Sequence, residues 1–380
     1  MFCLRRNHNS ICFILPGWIT KVHGGAELQC YLISDEFVKR GWDVSVITSK
    51  PKSIISPSKY HNPKIKYYYY PVVKFKTIQF LIAWFFILKC PSVYYYTRTD
   101  DRIFRAACGM VCKLTGRKMI YAIAGDDELE HNSFNINRDS ACIIRIIRFF
   151  DFGIVNLLTN RSEHMANLII AQTYVQHDKL MELKSLNSIV IRNSYQTNIQ
   201  KYEHGSKENI IVWIGNLRKV KQPEIFVEIA TKFKWSNYTF LLIGETNEYR
   251  FADLPTNLQI LGPLPKSDVL RYLKISKLLI NTSISEGFSN TFLEAWANNT
   301  FVISLNSNPD NLLDNILGFF ANGKIEILEK KIEEFILDDK LDFQVVGARF
   351  ATIVKEFILR TNVDKLISAI RRLSNTTTIL

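Results

Sequence analysis

The chain has 380 residues, 47% hydrophobic and 22% charged, which excludes a disordered or low-complexity protein and leaves room for two cores. Its net charge of +12 is uneven: residues 1–200 hold 26 Lys+Arg against 15 Asp+Glu (net +11), residues 201–380 hold 22 against 21 (net +1). That asymmetry suits a polyanionic partner for the first half, whether nucleic acid, anionic lipid or a phosphorylated substrate, with a merely solvated surface as the alternative. The opening "MFCLRRNHNSICFILPGW" has no uninterrupted apolar run ahead of a small-residue cleavage site, so no signal peptide is expected. The longest apolar run, "FLIAWFFIL" (residues 80–88), is far short of the roughly 20 residues that span a bilayer. A buried helix is expected there, with contact at a membrane surface as the second reading. A cytoplasmic or peripheral protein follows. The seven cysteines (3, 12, 30, 90, 108, 112 and 142) form no Cys-x-x-Cys pair, so reduced, buried thiols are expected rather than a metal site or disulfide framework.

In chain order, "ICFILP" is an apolar strand, "GWITKVHGGAE" a loop, and "LQCYLISDEFVKRG" a helix with Ala26, Cys30, Ile33 and Phe37 at helical spacing and Gly41 as its stop. "WDVSVITS" is the next strand. The rhythm repeats through strand "SVYYYTR", helix "RIFRAACGMVCKLTG", strands "KMIYAIAG" and "LIIAQT", and helix "YVQHDKLMELK". The run Tyr67 to Tyr70 is expected as a strand. A polar stretch, "NSYQTNIQKYEHGSKEN", is the expected linker. The series then restarts: strand "IIVWIG", basic loop "NLRKVKQ", and helix "PEIFVEIATKF" with Pro223 suited to its first turn. Four further strands follow, "YTFLLIG", "LQILGPL", "KLLINTS" and "TFVISL", separated by helices such as "KSDVLRYLKIS". Strands alternating with helices predict parallel sheets, and two such series predict two doubly wound α/β domains that bind ligands at the carboxyl ends of their strands. The boundaries expected are 1–200, 201–355, and a C-terminal helical segment 356–380 that packs back on the first domain, with a break near Thr361 and Asn362.

Two stretches carry chemistry. In "NLRKVKQ", Arg218, Lys219 and Lys221 fall between a strand end and a helix N-terminus, where guanidinium and ammonium groups would neutralise a diphosphate. A solvated charged loop is the other reading. In "SEGFSNTFLEAW", Glu286 stands on the loop and Glu294 on the helix behind it. Thr291 and Glu294 fit a Thr-x-x-Glu capping box. The functional alternative has Glu294 accepting hydrogen bonds from the vicinal hydroxyls of a ribose and Glu286 near the reacting sugar. Phe288, Ser289, Asn290 and Thr291 would then offer backbone N–H groups to phosphate at a helix N-terminus.

These residues resemble glycosyltransferase family 4, retaining enzymes of the two-Rossmann GT-B architecture with paired domains facing across a cleft. "SEGFSNTFLEAWANNTFVIS" is similar to the family's E-x7-E signature, which falls on Glu286 and Glu294. "WIGNLRKVKQPEIFVEIA" resembles its phosphate-binding segment, and "PGWITKVHGGAELQCYLISDEFVKRGWDVSVIT" its N-terminal glycine-loop entry. The resemblance implies that Glu294 holds the nucleotide ribose, that Glu286 contacts the donor sugar, and that Lys221 neutralises the diphosphate leaving group. It further implies a donor site including Gly215, Asn216, Gly287, Phe288, Ser289, Asn290 and Thr291, with Gly24 and Gly25 in the N-terminal loop. Two departures stand out. The family's usual Arg after the glycine is Asn216 here, and Arg218 is the expected replacement. Where the family often has a histidine, "YAIAGDDELEH" offers Asp126, Asp127 and His131, with Asp126 preferred and His23 a second candidate.

The function expected from this resemblance is metal-independent transfer of a sugar from a nucleotide-sugar, UDP- or GDP-linked, to a glycan or polyprenyl-diphosphate-linked acceptor, with no cofactor. The basic first half fits an anionic membrane surface. A nucleotide-sugar epimerase of the same architecture is the enzymatic alternative. A nucleic-acid-binding protein using the Tyr-rich strands is the non-enzymatic one, and it leaves the two glutamates unexplained.

Overall fold

The structure is a computed structural model that describes residues 9–19, 24–50, 61–99, 101–130, 153–159, 161–195, 206–245, 251, 253–338 and 343–375. Its strands in chain order are β1 (Ser10–Ile14), β2 (Asp43–Ser49), β3 (Lys66–Tyr70), β4 (Tyr94–Thr97), β5 (Lys118–Ala122), β6 (Leu168–Ala171), β7 (Ile189–Val190), β8 (Glu208–Ile214), β9 (Thr239–Ile243), β10 (Leu258–Gly262), β11 (Ser276–Asn281), β12 (Phe301–Ser304) and β13 (Gly318–Phe320). The longer helices are α1 (Gly25–Lys39), α2 (Lys76–Lys89), α3 (Arg102–Thr115), α4 (Tyr174–Lys184), α5 (Pro223–Lys232), α6 (Lys266–Ile275), α7 (Asn290–Ala297), α8 (Ile325–Leu337), α9 (Phe343–Ile353) and α10 (Leu359–Asn375). The chain forms two compact units: residues 1–194 together with 359–380, and residues 195–358.

The first unit is built on a seven-stranded sheet of order β3-β2-β1-β4-β5-β6-β7, and every neighbouring pair runs parallel. A parallel sheet needs helices on both faces, so its central strands are buried on both sides instead of alternating. β1 shows this directly. Ile11 and Phe13 enter one core with Phe37 of α1 and Ile370 of α10, while Cys12 and Ile14 enter the other with Phe80 of α2 and Phe104 of α3. Local signals set the helix ends. Asp101 caps α3 by accepting from Ile103 N–H at 2.9 Å, and Gly116, at φ 69°, ends it in the left-handed conformation that a glycine adopts without penalty.

The C-terminal helix belongs to this unit. Asn362, on α10, donates to the Arg192 carbonyl at 3.0 Å and to Ser194 Oγ at 3.3 Å, and Tyr94 OH meets Ser374 Oγ at 2.7 Å. The helical break expected near Thr361 and Asn362 lies earlier, in the 3-10 turn Val354–Phe357. Asn362 is a buried polar residue inside a continuous helix, its amide nitrogen satisfied by these two acceptors.

Two other expectations need amending. Helix α2 is only half buried: Gln79, Phe80, Ala83 and Ile87 face the core, while Ile78, Leu81, Phe85 and Leu88 are exposed. In the Tyr-rich strands Tyr70, Tyr94, Tyr95 and Tyr96 are buried and Tyr67 and Tyr68 half-buried, and Tyr69 alone among these seven is exposed. Five cysteines, Cys12, Cys30, Cys90, Cys108 and Cys112, are free and buried; Cys3 and Cys142 lie outside the described residues. Among the described residues no helix is long and apolar enough to cross a membrane.

The second unit repeats the plan with a six-stranded sheet, β10-β9-β8-β11-β12-β13, again parallel throughout. Its core gathers Trp213, Phe226, Phe240, Phe292 and Trp296 around the central strands. Its ends are tied together: Tyr195 N–H donates to the Phe357 carbonyl at 2.7 Å. In both sheets the order reverses beside the first strand, between β1 and β4 and between β8 and β11. Such a switch point leaves a crevice at the carboxyl ends, because the connections on its two sides leave in opposite directions.

Candidate functional site

The switch point of the second unit is where the two chemistry-bearing stretches meet. β8 ends at Ile214 and is followed by a bend at Gly215 and the irregular residues Asn216 and Leu217. A 3-10 turn, Lys219–Lys221, then leads into α5, with Gln222 at φ 45° between them and Pro223 in the helix's first turn. β11 ends at Asn281 and leads through residues 282–288 to Ser289, the residue before α7. Thr282 joins the two loops. Its Oγ1 lies 2.7 Å from the Lys221 carbonyl and 2.9 Å from that of Gln222, and it accepts from Trp213 Nε1 at 2.9 Å. Ile284 N–H donates to the Val220 carbonyl at 2.8 Å. Close approach also constrains the neighbouring loop: a Cβ on Gly244 would fall 1.7 Å from the Gly215 carbonyl oxygen, so only glycine fits.

This stitching delivers Lys221 to Glu286. The ammonium donates to Glu286 Oε1 at 2.7 Å, and the same oxygen accepts from Ser283 Oγ at 2.8 Å and Asn281 Nδ2 at 3.0 Å. No described residue donates to Oε2. Burial pushes the Glu286 carboxyl upward, but the Lys221 charge and the three hydrogen bonds outweigh it and hold the group below the usual carboxylate range. Glu286 is therefore an anion at neutral pH, suited to accepting hydrogen bonds or facing developing positive charge and unsuited to donating a proton. Asn281 is in turn positioned by Ser304, whose Oγ donates to its Oδ1 at 3.4 Å.

Glu294 is buried on α7 and forms an ion pair with Lys266, the first residue of α6. The capping box does not form. Helix α7 begins at Asn290, with Ser289 in the cap position and no side-chain cap bond, so Thr291 is already inside the first turn and Glu294 is free of that duty. The Ser289 and Thr291 hydroxyls lie 2.9 Å apart. The Phe288 ring is buried 5.2 Å from Phe357 and 6.4 Å from Trp296, so its side chain belongs to the core and only its backbone faces the loop. Gly287, Asn290 and Thr291 are half-buried, as are Gly215 and Asn216. Arg218 is exposed, and its side chain makes no hydrogen bond or ion pair among the described residues.

The remaining candidates lie in the first unit. Asp126 is half-buried and accepts from Gln176 Nε2 at 2.7 Å. Its neighbour Glu128 is the better anchored acid. One oxygen takes the N–H groups of Ala124 and Gly125 at 2.7 and 3.1 Å, and the other takes Tyr121 OH and Arg105. Arg105 also donates to Ser162 Oγ at 2.8 Å, and Glu163 beyond it pairs with Lys184 at 2.8 Å. Gly24 precedes α1, where its carbonyl accepts from Leu28 N–H at 3.1 Å, and Gly25 is exposed. His23, His131 and the Asp127 side chain lie outside the described residues.

Residues 194–348 match the family model of glycosyl transferases group 1, a span that contains Lys221, Glu286 and Glu294. No curated protein matches the chain in sequence. Solved structures match it along almost its whole length. A glycosyltransferase from Rickettsia africae is 18% identical with a TM-score of 0.68, covering 97% of this chain and 99% of that one. Anabaena HepE, solved in complex with UDP, is 15% identical with a TM-score of 0.65, covering 96% and 100%. WaaG, a glycosyltransferase involved in lipopolysaccharide biosynthesis, is 11% identical with a TM-score of 0.65, covering 93% and 98%. The fold is GT-B. At these identities the likeness fixes the architecture, and the chemistry rests on the residues of the site.

Four residues of this arrangement escape sequence reasoning: Asn281, Ser283, Lys266 and Glu128. The polar end of "KLLINTS" was a signal for the first two, since a fully buried strand has no packing use for an amide and a hydroxyl. Lys266 and Glu128 carry no such local mark.

Proposed function

We propose that the chain is a retaining glycosyltransferase that moves a sugar from a nucleoside-diphosphate donor to a glycan or lipid-linked glycan acceptor, in polysaccharide or glycolipid assembly. The observation that carries this is the Lys221–Glu286 pair, held by two stitched loops at the β8/β11 switch point. It lies within the stretch that matches the group 1 model.

In this reading the donor diphosphate lies against the Lys221 turn and the N-terminus of α7, the positive end of the helix dipole, which faces an anion favourably. As the glycosidic bond lengthens, negative charge grows on the leaving diphosphate and positive charge on the sugar. Lys221 stabilises the first and the ionised Glu286 the second, an electrostatic contribution that is larger in the transition state than in the ground state. Neither role needs a metal ion. Glu294 accepts the ribose hydroxyls after exchanging its ion pair with Lys266 for the ligand, and Arg218 supplies the charge that Asn216 lacks. The first unit holds the acceptor, with Asp126 the polar group nearest this task. An acceptor carried on a lipid brings the protein to the surface of a membrane.

The support for a nucleotide-sugar donor includes the UDP in the HepE complex, a protein with this fold. The test is release of nucleoside diphosphate from a panel of UDP- and GDP-sugars in the absence of added metal. Slow hydrolysis of one donor class is expected, abolished in Lys221→Met. No turnover of any donor by folded protein, with or without a glycan acceptor, contradicts the reading.

A further inference from the structure

Helix α2 turns an apolar face to solvent. Ile78, Leu81, Phe85 and Leu88 are 48%, 59%, 55% and 38% exposed, and their spacing of three, four and three residues aligns them as one stripe along the axis. Phe75 and Val72, 44% and 70% exposed, extend the stripe beyond the helix start, and Tyr69 at the end of β3 is 44% exposed. Single exposed apolar side chains are ordinary on a protein surface, but a continuous row marks a surface that meets something.

The charges around the stripe say what. Lys74 and Lys76 at one end, Lys89 at the other, and Lys64 and Lys66 near β3 are all exposed. From Val44 to Thr99 the sequence holds nine Lys and Arg and no Asp or Glu, so the stretch of chain that carries the stripe has charge of one sign. Two copies meeting through this face would bring lysine against lysine, which opposes self-association. An anionic lipid layer satisfies both parts: phosphate headgroups for the lysines, and the acyl boundary for the aliphatic and aromatic side chains. At 14 residues the helix is about 21 Å long, too short to span a bilayer and long enough to lie along one.

We propose that α2 lies in the interfacial plane of an anionic phospholipid bilayer and docks the first unit there through Ile78, Leu81, Phe85 and Leu88, with Lys74, Lys76 and Lys89 on the headgroups. The inference deepens the membrane part of the proposed function. Its test reads vesicle binding and donor turnover separately, so that either can fail without the other.

The experiment is co-sedimentation of the full chain with vesicles of phosphatidylcholine, alone or mixed with phosphatidylglycerol, at low and high salt. Binding to the mixed vesicles is expected, weaker by about tenfold or more on phosphatidylcholine alone, since each lysine near such a surface contributes roughly fivefold, and weaker again in high salt. The double variant Leu81→Glu/Phe85→Glu should lose about tenfold or more of that binding with unchanged melting temperature and donor hydrolysis. Lys74→Glu/Lys76→Glu should do the same on mixed vesicles only. Wild-type protein that ignores both vesicles overturns the proposal, as does vesicle binding indifferent to Leu81→Glu/Phe85→Glu. A dimer in solution that these variants dissolve, without vesicle binding, overturns it in favour of a second copy.

Discussion

The two units share a strand order around their switch points, β3-β2-β1-β4-β5 and β10-β9-β8-β11-β12, and use it differently. In the second unit the loops after β8 and β11 present a half-buried cation and carboxylate, with hydroxyl and amide donors beside them. In the first, the cation after β4, Arg98, is 5% exposed and donates to Asn193 at 2.6 Å. After β5, Glu128 is turned inward and ties its own loop to Tyr121 and Arg105. Topology supplies a place for a ligand in both. The side chains leave charge available in one and spend it on the fold in the other.

The sharpest way to break this contrast is at Glu286. Glu286→Gln keeps the shape and removes the charge, so kcat should fall by about 10²- to 10³-fold while donor affinity changes little. A comparable loss in affinity instead would move Glu286 from the reacting sugar to the binding of the ground state. Lys221→Met should cost turnover to a similar degree. It should also lower stability by about 1–3 kcal/mol in urea titrations, because it strands a buried carboxylate. Next in size is Glu294→Ala. Losing charged hydrogen bonds to a diol should weaken nucleotide binding by about 10- to 100-fold and leave the kcat of saturated enzyme nearly intact.

The first unit supplies the contrasting case. Glu128→Gln should lower thermal stability, by about 1–3 kcal/mol, and reduce turnover far less than Glu286→Gln does. A catalytic defect as large as that of Glu286→Gln, in a stable variant, would erase the distinction between the units. The smallest effect is the pH dependence of stability. Because the folded-state Glu286 carboxyl is held below its unfolded value, its contribution is complete above about pH 4.3 and is lost as pH falls through the folded value. The stability difference between wild type and Glu286→Gln should therefore be flat at neutral pH and shrink in acid.

Much of the fold is legible in the sequence because the relevant signals are local. "ICFILP", "IIVWIG" and "KLLINTS" are apolar runs of strand length, and each is followed within a few residues by a glycine or a helix-starting pattern. What is not legible depends on partners distant in sequence. Arg105 sits on α3 among apolar residues and is explained by Tyr121, Glu128, Ser162 and Glu163, all distant in sequence. "DDELE" reads as a solvated acidic loop until those donors are in place. From Phe80 to Leu88 helix α2 is apolar on every side, so its sequence does not say which face stays uncovered. At the site, the spacing of Glu286 and Glu294 is visible at once. The Lys221 contact is not, since it depends on Thr282 bridging two loops that lie 60 residues apart.

The central claim is that the β8/β11 switch point binds a nucleoside diphosphate. It is tested most directly by calorimetric titration of UDP and of GDP into wild type and Glu294→Ala, without added metal. The account predicts saturable binding of one nucleotide to the wild type and its loss in the variant. Equal binding to both proteins, or none to folded wild type, would contradict it.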